Sequence, residues 1–477
     1  MPRNAMPWVL ALDQGGHATR ALVFAEDGRE VTRAEVHVAT QYPHDGWVEH
    51  EPQAMLASIW ECLRRIGETL GADARHIATA ALATQRSSLV CWSRANGTAL
   101  SPILSWQDVR AARLLDELAP PEAELHAITG LRLSAHYGAS KLRWCLDELP
   151  DVQAALARSE LAAGPLASWL VFALSGGDCF AVDPCNASRS LLWDVRIRDW
   201  SPRLLQAFGI PVKILPQCQA NRGEWTTLQV GEHRVPLIVV TGDQSAVPYA
   251  FDRVGVGDAY LTLGTGAFLQ QIEGASPTPC AGLLNSVTWQ DGQTIQYALE
   301  GTVNGAGAAL SWLAARDSIS ETELLARLPD WLTTVTDQPL FVNAVGGLAS
   351  PFWKSHARPD FVGNSDLAGR AVAVIESIAF LLQANLDAMR DGGRPVRRLI
   401  AVGGLSRLDG LLTRIASLAG IPVLRAAHGE ATAYGAARLA HAGLPPMTVT
   451  DIFEPDPVGK AGLQSRYRCA LERWQSL

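Results

Sequence analysis

Two strand–glycine turn–strand hairpins, placed about half the chain apart, constrain the fold more than any other feature of the sequence. In the first, VLALDQGGHATRALVF (residues 9–24), an apolar run ends at Asp13, turns through Gly15 and Gly16 and becomes apolar again. A dinucleotide-binding unit would pass from its glycines into a helix. Here Ala21, Leu22, Val23 and Phe24 lead directly into AEDG, so the return segment reads as a second strand and another turn. In the second, DAYLTLGTGAFLQQIEG (258–274), residues 260–263 form a strand, Gly264, Thr265 and Gly266 the turn, and residues 267–272 the return strand. Such turns bring backbone N–H groups to a phosphate, and a nearby carboxylate can hold a divalent metal through water. Two of them in one chain imply a duplicated domain with a cleft between the copies.

Strand and helix patterns alternate around the hairpins, as in an α/β protein. The apolar runs LIVVT (237–241) and LIAV (399–402) end in GDQSA and GGLS. The segment LDGLLTRIASLAG then places Leu408, Leu411, Leu412, Ile415, Leu418 and Ala419 on one helical face, with Gly420 as the C-terminal cap. The next helix, EATAYGAARLAHAG (430–443), is crowded with small residues and suits close approach to a neighbouring backbone or to a nucleotide. Residues 445–457 read as a loose connection to a last helix, and QYPHDGWVEHEP, which contains His44 and His50, as a solvated loop. The formal charge of −8 and the lack of basic runs argue against nucleic acid and anionic membrane surfaces as partners. No apolar stretch of about 18 residues reads as a membrane span. Eight scattered cysteines without a Cys-x-x-Cys pair, and no cleavage-site pattern, fit reduced thiols in a cytoplasmic protein.

Asp243 stands at the end of an apolar strand, where ligands gather in α/β sheets. It could take the proton of an attacking hydroxyl or cap the next helix, and its position alone does not choose between these roles. In TQRSSLVCW, Gln85 and Arg86 emerge from another strand end, where they could donate to substrate hydroxyls. Trp106, in SWQD, offers a face for a carbon skeleton; the alternatives are a surface ion pair for Arg86 and a core position for Trp106.

Taken together, these stretches resemble the FGGY family of carbohydrate kinases, and within it the glycerol kinases, over essentially the whole chain. DQGGHATR resembles the family's first phosphate hairpin and GWVEHEP its GWVEHDP segment; TQRSSLVCW and SWQDVR resemble NQRETTxxW and WQDxR. SKLRWCLDE, CNASRSLLWD, GDQSA, LTLGTGAF, ALEG, GGLSRLDGLL and EATAYGAARLA follow in the family's order. The resemblance implies a two-domain actin-like ATPase fold, each domain with a ribonuclease-H-like core, divided at residues 1–245 and 246–477. It further implies ATP and Mg2+ as cofactors and phosphorylation of a hydroxyl on a small polyol or sugar, with a homodimer left open. By this resemblance Asp243 is the general base, and Asp13 and Asp243 lie at the magnesium. Gln85, Arg86, Trp106, His136, Gln244 and Phe268 surround the acceptor. Asp13, Gln14, Gly15, Gly16, Thr19 and Arg20 form the first phosphate hairpin, and Gly264, Thr265 and Gly266 the second. Gly307, Ser311, Gly403 and Gly404 contact the nucleotide.

The chain departs from the family at four places. Ser87 replaces a Glu that accepts from glycerol hydroxyls, and His136 aligns with a Tyr that helps hold glycerol. Gly16, His17 and Ala18 stand where the first hairpin carries hydroxyls, and Leu408 where an Asn meets adenine. Loss of a charged acceptor costs about 1–3 kcal/mol, enough to redirect substrate choice. The competing expectation is a catalytically silent member that binds nucleotide or sugar as a regulator. Asp13, Asp243 and the GTG turn argue for catalysis.

Overall fold

A computed structural model describes residues 7–252, 257–427 and 429–477. Each half is built on one sheet with the same internal plan. In the first, strands Trp8–Gln14, Ala18–Phe24 and Glu30–His37 form an antiparallel meander. Ile77–Thr84 and then His233–Gly242 lie parallel beside the opening strand, which gives the order third, second, first, fourth, fifth. In the second, Asp258–Leu263, Ala267–Gly274 and Thr294–Val303 form the meander, and Arg398–Val402 and Val423–Ala426 the parallel pair, in the same order. This shared order is the expected ribonuclease-H-like core, duplicated. Each sheet gains an antiparallel edge strand beyond its parallel pair, Arg222–Val230 and Val449–Phe453.

Register determines which residues reach the sheet edge. Asp13 lies beside Ala83, and both Gln14 and Gly242 lie beside Thr84. Asp13, Gln85 and Asp243 therefore leave the first sheet at neighbouring carboxyl ends, where the chain turns away and side chains can converge. In the second sheet Thr262 pairs with Val402, which brings the GTG turn beside Gly403.

An apolar layer joins the facing sheets: Ala11, Ala83 and Val239 from the first, Tyr260 and Ile400 from the second. Helix Ala431–Ala440 runs through it. Its small residues serve a close backbone approach, since a Cβ on Gly435 would come within 2.0 Å of the Ala246 carbonyl oxygen. Arg438 Nη1 anchors the same helix by donating to the carbonyls of Tyr249 at 2.8 Å and Phe251 at 2.7 Å.

Three sequence expectations need correction. The supposed loose connection at 445–457 contains strand Val449–Phe453, whose residues are mostly exposed. It is held by its backbone ladder, so no alternation of apolar and polar residues marks it. The supposed solvated loop at QYPHDGWVEHEP ends in the short strand Glu49–His50, paired with Ile103–Leu104, and His50 is buried. Finally, helix Leu367–Asp391 is long and apolar enough to cross a membrane by length and composition, although 83% of its apolar window is buried inside the protein. Glu376 in this helix accepts from Arg466 Nε at 2.8 Å, a buried charge that suits a core helix.

Alanine normally exceeds glycine as a helix former by about 1 kcal/mol. At Gly435 the sign should reverse: Gly435→Ala is expected to destabilise by roughly 1–3 kcal/mol, because the helix must retreat from Ala246. Thermal unfolding reads this directly, and an unchanged or raised Tm would show that the helix has room to move.

Candidate active site

A cavity of about 190 Å3 opens where the two sheets' strand ends meet. Gly16 and His17 of the first hairpin face it from one side, and Gly264, Thr265 and Gly266 of the second from the other. Between them lie Asp243, expected as the general base, and Gln85, Arg86, Trp106, His136, Gln244 and Phe268, expected around the acceptor. Asp243 is the first residue of helix Asp243–Ala246 and not its cap; Gly242 holds that position without a side-chain bond. Trp106 and His136 pack with ring centroids 5.3 Å apart, forming an aromatic wall.

Other expected residues lie behind the cavity. Gln14 and Thr19 are buried, and Thr19 Oγ1 donates to Gln14 Oε1 at 2.8 Å, so their side chains serve the hairpin. Gly15 closes the turn, its N–H donating to Ala18 O at 3.0 Å. Arg20 pairs with Glu35 at 3.2 Å on the outer ladder. Gly307 opens helix Gly307–Arg316 hard against the second hairpin: its N–H donates to Gly264 O at 2.9 Å, and an added Cβ would sit 2.9 Å from that oxygen. Ser311 Oγ donates within this helix to Gly307 O at 3.3 Å. Gly403 has φ +94° and would put a Cβ 2.5 Å from Leu263 O, so only glycine fits. A Cβ on Gly404 would meet nothing within 4 Å, so open space lies beside it.

The electrostatic centre of the site is a carboxylate that the sequence reading did not single out. Glu300 is fully buried on strand Thr294–Val303 and meets Arg86 Nη2 and Arg189 Nη1, each at 3.1 Å, across the divide between the halves. Gln270 Nε2 donates to it at 3.1 Å. Burial would raise the Glu300 carboxyl, but Arg189 and Arg86 outweigh it and hold the group at about 2. Arg86 Nε also lies 3.8 Å from Asp243 Oδ1. Burial lifts Asp243 above the ordinary carboxylate value, while Arg86 opposes the rise. Burial, then the Asp243 charge, pushes Asp13 up to about 7. Burial, with Arg189, Lys141 and Arg86 nearby, holds the His136 imidazole neutral. Both amide atoms of Gln85, Arg86 Nη1, Gln244 Oε1 and His50 Nε2 are buried without a protein partner among the described residues. Polar atoms left this way around a cavity match the hydroxyls of a polar ligand.

Family comparison fits this geometry. The model of the N-terminal domain of the FGGY family of carbohydrate kinases matches residues 8–248, and that of the C-terminal domain residues 259–444. The chain belongs to the FGGY family of carbohydrate kinases. The glycerol kinase of Aromatoleum aromaticum is 36% identical over 453 residues, 92% of this chain and 90% of the relative. That of Alkalilimnicola ehrlichii is 39% identical over 451 residues, 91% of this chain and 90% of the relative. The fold matches Plasmodium falciparum glycerol kinase with ADP at a TM-score of 0.86 and 23% identity, covering 98% of each chain. It also matches a gluconate kinase from Lactobacillus acidophilus at 0.85 and 18%, covering 99% of this chain and 98% of that one. This FGGY kinase therefore phosphorylates a hydroxyl of a small polyol or sugar, with ATP and Mg2+.

The residues present fit that cofactor pair. The Asp243 charge raises the cost of ionising Asp13, which a divalent cation would relieve; among the described residues no third His, Cys, Asp or Glu joins them as a metal cluster. Magnesium keeps several waters and needs one or two protein carboxylates beside phosphate oxygens, so two suffice. When bound, the metal neutralises phosphate charge. Arg189 and Glu300 escaped the sequence reading because their stretches, CNASRSLLWD and ALEG, reveal no partner locally; a charge inside a run of small or apolar residues was the available signal.

Two measurements follow from these charges. In Glu300→Gln the buried guanidiniums lose their shared counter-ion, at an expected cost of about 3–5 kcal/mol. Because the Glu300 carboxyl lies below its ordinary 4.5, its stabilisation is present above that value and is lost as pH falls toward about 2. The variant should lack this part of the acid loss, read by unfolding at pH from about 2 to about 5, the window that this linkage covers. Asp13 titrates the opposite way: it holds its proton up to about 7, so a magnesium ion held by Asp13 would have to displace that proton. Apparent magnesium affinity with nucleotide should fall up to about tenfold per pH unit below that point, and Asp13→Asn should flatten the dependence.

Proposed function

We propose that Asp243 is the general base of this kinase and that the acceptor lies along Gln85, Arg86, Trp106, His136, Gln244 and Phe268. The observation that carries this reading is the convergence of both glycine hairpins, Asp243 and the unpartnered Gln85 amide on one cavity. Asp243 accepts the proton of the attacking hydroxyl, and Arg86 beside it favours its ionised form. The hairpins cradle the transferred phosphoryl from both sides, with Asp13 at the metal. Gly403 and Gly404 border the nucleotide, while Gly307 and Ser311 brace the second hairpin. In this reading residues 1–245 supply the acceptor side and 246–477 the nucleotide side. A cytoplasmic enzyme with reduced thiols is consistent with eight free cysteines, and sedimentation would test the homodimer.

The acceptor proposed is a polyol or sugar larger than glycerol. Ser87, standing in place of the glycerol kinases' Glu, is buried with φ +65° and offers no carboxylate. Gln85 and neutral His136 are left to recognise hydroxyls. An ADP-release screen over polyols, aldoses, ketoses and sugar acids should rank a larger acceptor above glycerol. Glycerol at the top would overturn the acceptor-size reading and leave phosphotransfer intact.

General-base assistance contributes about 10²–10⁴-fold, so Asp243→Asn should lower kcat by that range. Nucleotide binding should change far less, because hairpins and metal hold the phosphates. Near-parental turnover would remove Asp243 as the base.

A further inference from the structure

Lys141 is a cation buried among the proposed acceptor loops that no catalytic role uses and, unlike its neighbour Arg110, it is held by main-chain carbonyls and not by carboxylates. It lies in the first turn of helix Gly138–Glu148 and is fully inaccessible to solvent. Its ammonium donates to three main-chain carbonyls: Ser105 at 2.6 Å, His136 at 2.8 Å and Ser87 at 3.5 Å. Each belongs to a different loop, and each adjoins or is a residue of the cavity wall: Ser87 follows Arg86, Ser105 precedes Trp106, and His136 lines the cavity itself. No carboxylate accepts from the Lys141 ammonium among these bonds. The nearby Asp108 is committed elsewhere, to Arg110 at 2.7 Å and to the Val48 N–H at 2.7 Å.

We propose that Lys141 is a positioning residue for the acceptor site, its buried ammonium setting the spacing of the loops that carry Arg86, Trp106 and His136. The inference rests on the acceptor location proposed above. A buried charge is costly without compensation, and three carbonyl acceptors for three N–H donors provide it. A neutral amine has only two N–H groups and a lone pair, so deprotonation must release one loop. The charged and titratable groups around it are Asp108 and Arg110 on the loop after Ile103–Leu104, Cys145 on its own helix, and His136 before that helix. Burial lowers Lys141 to about 7; Asp108 opposes this and Arg110 adds to it. Loop spacing thereby depends on pH near neutrality, independently of Asp243.

Lys141→Met keeps the length of the side chain and removes all three donors. Loss of hydrogen bonds from a charged group should raise the acceptor KM about tenfold or more while leaving the KM for ATP within about twofold. A residue that only stabilised the fold would lower Tm and active yield without separating the two KM values, and an unchanged acceptor KM overturns the proposal. If the variant does not fold, the parent decides the matter. At saturating magnesium and ATP, its acceptor KM should rise severalfold as pH passes upward through about 7, and a flat profile refutes the pH-coupled role. Failure of the parent to phosphorylate any polyol or sugar would instead overturn the acceptor reading beneath it.

Discussion

Glu300 is buried in the second half of the chain, and its two guanidinium partners, Arg86 and Arg189, come from the first. A carboxylate without water needs such compensation, and here it requires the halves to stand in one relation to each other. Arg86 also reaches Asp243, so the position and charge of the proposed base depend on the same cluster. The charge arrangement that joins the domains therefore also supplies Arg86 and Arg189 to the cavity wall.

Around that cluster the duplicated sheet supplies geometry. Parallel strands deliver Asp13, Gln85 and Asp243 to adjacent carboxyl ends, and the matching ends of the second sheet deliver the GTG turn and Gly403. Glycine is required where backbones touch: Gly435 against Ala246, Gly307 against Gly264 and Gly403 against Leu263. These close approaches hold the second hairpin and the bridging helix in position, while space stays open at Gly404.

The proposed acceptor side is organised differently, by loops: one joins the large sheet to a small four-stranded sheet, one leaves that small sheet and one links two helices. Loops hold position poorly unless their backbone groups are satisfied. Here the carbonyls of Ser87, Ser105 and His136 meet at one ammonium, while the side chains of Gln85 and Gln244 keep unused donors or acceptors. A rigid frame with unsatisfied polar atoms toward the cavity is what selective recognition of hydroxyls requires.

The sequence by itself determined the alternation of strands and helices, the two glycine hairpins and the candidates Asp243, Gln85, Arg86 and Trp106. These are local signals: apolar runs, turn glycines and polar residues at strand ends. Strand Val449–Phe453 stayed hidden because its mostly exposed side chains carry no alternation. Tertiary structure decided which hairpin residues face the cavity. The ladder sets Gln14 opposite Thr19, where they bond to each other, and turns Gly16 and His17 outward. It also decided that helix Ala431–Ala440 meets a backbone, that His50 is buried, and that Glu300 pairs with Arg86 and Arg189. Compensation of a buried charge depends on which distant residues are brought together, and no local pattern records that.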